Sequence, residues 1–158
     1  MSDARSPVLD PATVEPYSGS SYPAPFNLAA AGREKRFLGP ALGLTQFGVN
    51  LARLPPGAWS SQRHWHALED EFIYVLEGEL VLVTDAGEQV LRAGMAAGFP
   101  AGRPDGHHLI NRSNREALYL EVGTDSPKDM AVYSDIDMEM RPLPEGGHHY
   151  VHRDGTPY

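Results

Sequence analysis

From Gly43 to about Gly123 the chain runs in short apolar stretches, broken by Gly, Pro and Asp about every ten residues. That rhythm leaves no room for helices of ordinary length and reads as an all-β sandwich or barrel. Thr45, Phe47, Val49 and Leu51 alternate with Gln46, Gly48 and Asn50, the mark of a half-buried strand that Pro55-Pro56-Gly57 ends. Further strands are expected over 60–66, 71–76, 79–84, 88–91, 107–111 and 117–122, with a hairpin-type turn at Asp85-Ala86-Gly87. Only 29–36 and 126–131 permit a helix, and both are short.

The flanks differ from this centre. Pro7, Pro11, Pro16, Pro23 and Pro25 lack a backbone donor and fix φ, so residues 1–36 are expected as an extended arm. Residues 37–123 are expected as the β-barrel, and the polar stretch 124–158 as an irregular tail packing on it. With 158 residues the chain suits one domain. It has no cysteine, which excludes disulfides, thiolate metal sites and thiol nucleophiles. A net charge of −8 repels phosphate backbones and anionic lipid, so neither nucleic acid nor a membrane surface is an expected partner. Nothing near the N-terminus resembles a signal peptide, which makes a cytoplasmic protein the expectation.

Seven histidines fall in three clusters. His64 and His66 project from one strand face with Trp65 on the other, since side chains repeat every two residues. Two adjacent imidazoles suit one metal ion. Glu71 heads the apolar run Phe72-Ile73-Tyr74-Val75-Leu76, an unusual place for a carboxylate unless a cation compensates it. In His107-His108 alternation sends one ring inward and the other outward. The third cluster, His148, His149 and His152, reads as a surface tail.

The stretch from Gly57 through His64, His66 and Glu71 to Gly78 closely resembles the first cupin motif, and Gly94 to Gly102 with His107 and Asn111 resembles the second. The resemblance spans about residues 43–123 and extends to short single-domain bacterial cupins whose relatives carry the label sugar-phosphate isomerase-like. It implies an all-β double-stranded β-helix, the cupin jelly roll. It also implies His64, His66, Glu71 and His107 as ligands of one divalent metal, whether Fe, Mn, Ni, Cu or Zn. Arg103-Pro104-Asp105-Gly106 lengthens the turn before His107 beyond the family pattern.

Two functions follow from that resemblance. The first is a metal-dependent enzyme of isomerase or dioxygenase type acting on a small oxygenated molecule: a sugar, a sugar phosphate or a carboxylate. The alternative is a non-catalytic metal- or small-ligand-binding sensor, since fold and metal site do not define a reaction. Tyr74, Asp105 and Glu121 are the candidate proton-transfer residues, with Asn111 and Tyr119 as further inward candidates. Arg63 and Arg103 are candidates for holding an anionic group. A homodimer is expected, with Tyr17, Tyr22 and Phe26 of the arm available to cover a neighbour's sheet edge.

Overall fold

The computed structural model describes residues 6–158, so the first five residues of the expected arm lie outside the described residues. Antiparallel strands carry nearly all of the regular structure. A six-stranded sheet runs in the order β1 (Tyr17–Ser18), β2 (Glu34–Phe37), β3 (Phe47–Leu54), β10 (Ala117–Thr124), β5 (Glu71–Glu77) and β8 (Ala96–Phe99). A three-stranded sheet is ordered β7 (Gly87–Arg92), β6 (Glu79–Thr84), β9 (His108–Ile110), and a four-stranded one β13 (His148–Val151), β12 (Glu139–Pro142), β11 (Ala131–Tyr133), β4 (His64–His66).

The period-2 pattern decides what is buried. On β5, Ile73 and Val75 turn inward while Phe72, Tyr74 and Leu76 face out. The inward residues meet Leu54 of β3, Leu80 and Leu82 of β6, and Leu109 of β9 in one core. Each fully buried side chain of this kind contributes roughly 1.5–3 kcal/mol relative to leaving it in water. Asn111 is fully buried for structural reasons. Its amide donates to the carbonyls of Leu54 (2.8 Å) and Arg115 (2.7 Å), and its oxygen accepts from Ser113.

Three expectations change. The stretch 29–36 forms no helix: turns lead into β2, whose ladder with β3 takes its backbone groups, and the one α-helix among the described residues, α1, covers Leu38–Leu42. The boundary drawn between 36 and 37 therefore falls inside β2. The stretch 126–131 is not helical either, because Ala131 already pairs with His66. Beyond Thr124 the chain is more regular than its composition suggests, for β11, β12 and β13 extend a sheet from β4.

The arm folds onto its own chain. Tyr22 packs between Tyr133 and Tyr150, each ring 5.5 Å away, and Phe26 meets Tyr158 at 5.9 Å. Tyr22, Phe26, Tyr133 and Tyr150 form a second, smaller core with Met138, Ala131 and Ile136. Tyr22 and Phe26 thus pack against the tail of their own chain.

Candidate metal centre

Strand β4 places His64 and His66 on one face, with Trp65 pointing the other way. Its position is set on one side by pairing with β11 and on the other by reciprocal backbone bonds between His64 and His107, 3.2 and 2.9 Å long. The His64 Nδ1 faces the Gln62 carbonyl at 2.8 Å, and the His66 Nδ1 faces the Asp129 carboxylate at 2.5 Å. A carbonyl and a carboxylate only accept, so both Nδ1 atoms carry the proton. When neutral, each ring then presents a bare lone pair on Nε2, and the two Nε2 atoms stand 3.1 Å apart. Two lone pairs aimed at each other repel unless a cation or a proton sits between them. That is how two imidazoles converge on a metal ion, each oriented through its other nitrogen.

Glu71, at the head of β5, brings its Oε2 to 3.6 Å from the His66 Nε2 and 3.9 Å from the His64 Nε2. One donor atom from each of His64, His66 and Glu71 lies within 4.8 Å of the others, so this group can hold a metal ion. His107 joins through Glu71: its Nε2 lies 2.7 Å from Oε2, and its ring stacks on Phe99 at 3.5 Å. The buried Nδ1 of His107 has no partner. A set of imidazoles and one carboxylate fits a borderline divalent ion, and no sulfur is present to favour a softer one.

Burial pushes the His64 pKa down to about 4, helped by His66 and His107. At His66 burial works in the same direction, yet the carboxylates of Glu71, Asp129 and Glu69 outweigh it and raise its pKa. Burial would raise Glu71, but the hydrogen bond from His107 and the neighbouring imidazoles hold it well below the usual carboxylate range.

A cavity of about 320 Å³ opens from this cluster toward β2 and β10. Glu121 lines it, accepting from Tyr119 Oη (3.0 Å), Lys35 Nζ (2.7 Å) and Asn50 Nδ2 (3.4 Å). Burial opposes its ionisation, but Lys35 and Arg33 prevail and lower its pKa. A second cavity of about 320 Å³ lies on the other side of His66, Glu71 and His107. Asp105 and Arg103 line that one, and the Asp105 carboxylate accepts from the Asp85 amide at 2.8 Å.

The other sequence candidates fall elsewhere. Tyr74 stands 38% exposed on the outer face of β5, turned away from the imidazoles by the alternation that buries Ile73 and Val75, so it is not brought to the cluster. Arg63 is committed to Asp135 and Asp85 and is not free for an anion. The His108 ring lies edge-on to Trp59, its Nδ1 3.0 Å from the Ser61 carbonyl, while His152 pairs with Asp137. Sequence reasoning missed Asp129, Arg33 and Lys35. Asp129 lies 63 residues from His66, and no local spacing marks it.

The model for the cupin domain matches residues 50–123. A Silicibacter pomeroyi structure described as a sugar phosphate isomerase from a cupin superfamily is 48% identical over 96% of both chains, with a TM-score of 0.92. The chain belongs to the cupin superfamily. An Acidithiobacillus ferrooxidans protein provisionally named a sugar phosphate isomerase shares 26% identity over 81% of both chains, at a TM-score of 0.73. The polyketide cyclase RemF of Streptomyces resistomycificus, at 24% identity, a TM-score of 0.61 and coverage of 74% of this chain and 78% of its own, shares the fold. No curated protein matches this cupin. Among its described residues no helix is long and apolar enough to cross a membrane.

Proposed function

We propose that this cupin is a metal-dependent enzyme acting on a small oxygenated substrate, with His64, His66, Glu71 and His107 as ligands of one divalent ion. The observation that carries the reading is the pair of Nε2 lone pairs facing each other at 3.1 Å, with both Nδ1 atoms already engaged. A divalent ion held there would supply Lewis-acid polarisation of a substrate oxygen. The chain's own residues do the rest. Ser60 and Ser61 line the first cavity, as do Tyr119 and Glu121, which hold a proton between phenol and carboxylate. Asp105 is the corresponding carboxylate of the second cavity.

Of the sugar, sugar-phosphate and carboxylate substrates that fit such a site, likeness to the Silicibacter pomeroyi protein favours a sugar phosphate and an isomerase over a dioxygenase. The test is metal content by elemental analysis beside turnover of candidate aldose and ketose phosphates. Near-stoichiometric metal in the native protein, its loss in His64→Ala, and metal-dependent conversion are expected. Metal without turnover would move the protein to the sensor class, and absence of metal even after reconstitution would end the reading.

We also propose a homodimer formed through the outer face of the six-stranded sheet. Register sets Tyr74, Leu120 and Leu51 in one row and Phe72, Val122 and Val49 in the next. Phe72 and Tyr74 there are 44% and 38% exposed, a large apolar area for a sheet face turned to water.

A further inference from the structure

The cavity lined by the histidines is also lined by a cation that no carboxylate touches. Arg33, just before β2, is only 8% exposed and lines that cavity. Its guanidinium has five N–H donors. Nη1 donates to the Ser60 carbonyl at 2.5 Å and Nη2 to the Gly19 carbonyl at 2.8 Å, while the buried Nε has no partner. Carbonyls orient the group but do not neutralise it, and no carboxylate of the described residues lies within 4.0 Å of it. A buried charge left in this state is costly unless something completes it.

Lys35, on β2, lines the same cavity as Arg33. Lys35 does have a partner, Glu121, whose oxygens are further occupied by Tyr119 and Asn50. Arg33, Lys35 and Glu121 together therefore carry a net charge of +1 in the lining of this cavity. The same lining carries the hydroxyls of Ser20, Ser21, Ser60, Ser61 and Tyr133.

We propose that Arg33, with Lys35 beside it, is the receptor for an oxyanion carried by the ligand of this cavity, a phosphate or a carboxylate group. The ligand would then span from Arg33 to the His64–His66–Glu71 cluster, a placement that rests on the reading of the cavity as a substrate site. The carbonyls of Gly19 and Ser60 hold the guanidinium in position in advance, which lowers the entropy lost on binding. A planar fork of donors suits a phosphate or carboxylate in two-point contact.

The test titrates inorganic phosphate, and separately acetate, into the purified protein at constant ionic strength, by calorimetry and by following the Arg33 Nε–H resonance. One saturable site is expected, with a shift of that resonance on saturation. Arg33→Gln should weaken binding at least about tenfold, and Arg33→Lys by less. Tighter binding of phosphate would assign a phosphate ester, and tighter binding of acetate a carboxylic acid. His64→Ala should lose metal yet keep the anion, while Arg33→Gln should lose the anion yet keep metal, so failure of either reading is seen separately. Binding that survives Arg33→Gln, or that is lost in His64→Ala instead, would overturn the proposal. If Arg33→Gln does not fold, an Arg33 Nε–H resonance that stays fixed while phosphate saturates would do the same.

Discussion

At His66 the chemistry of one nitrogen depends on a residue far away in sequence. Asp129 is 1% exposed, and its two oxygens take the His66 Nδ1 and the Leu68 amide. Losing the carboxylate frees the ring to adopt the other tautomer, so Asp129→Asn is expected to weaken metal binding roughly 10- to 100-fold, as such supporting carboxylates do. Competition with a chromophoric chelator would measure it, and Asp129→Glu should recover part of the loss. The histidines make a sharper forecast. His64→Ala, His66→Ala and His107→Ala should lose metal, whereas His108→Ala and His149→Ala should keep it. Loss in His108→Ala would mean that the turn before β9 delivers the other ring. Protons compete for the same lone pairs, so affinity should fall with acid. Burial lowers His64 to about 4, so it stays neutral until strongly acidic pH. His66 is raised above the ordinary value of about 6.5, so proton competition there sets in first. Metal affinity measured from pH 8 downward should begin to fall above about 6.5; a profile flat down to about 5 would exclude His66 as a ligand.

Elements were legible where their periodicity was local. Strand 79–84 was expected with the bounds observed for β6, and β5 and β10 each extend only one or two residues beyond expectation. Strand β8 was missed because Ala96-Ala97-Gly98 has almost no side chains to alternate, and its pairing comes from β5. The expected strand 60–66 shrinks to its last three residues, since Ser60 and Ser61 turn to bond the chain around Leu109 and His108. Between β5 and β6, Gly78 shows how tightly these joints are drawn. Its φ is +76°, and an added Cβ would lie 2.7 Å from the Glu116 carbonyl. Gly87, at φ +114°, faces open space. The Gly87→Ala change should therefore cost about 1–2 kcal/mol from backbone strain alone. Gly78→Ala should cost more, about 3 kcal/mol or above, because backbone must also move. Urea denaturation midpoints of the two variants would show the difference; equal midpoints would contradict the close approach.

For the whole molecule, the apolar rows on the outer face of the six-stranded sheet predict a dimer at micromolar concentration, burying area in the range stable pairs need, about 1,200–2,000 Å². Tyr74→Glu would place a charge in the middle of that face and should give a monomer in sedimentation without changing metal content. A native protein that already sediments as a monomer would refute the pairing. The β-rich class, the cupin motifs and the histidine positions were all readable from the chain, because each rests on spacing within a few residues: two for a strand face, five from His66 to Glu71. What lay beyond that range was not readable. Whether the tail was irregular or a sheet depended on β4 offering an edge to β11, a contact between residues 64–66 and 131–133. Which acid orients His66, and which cation faces the cavity, depended on Asp129 and Arg33 arriving from the tail and the arm. Side-chain period along a strand is a local property of the backbone and survives in the sequence. The meeting of distant strands is a property of the packed core, and only the folded chain decides it.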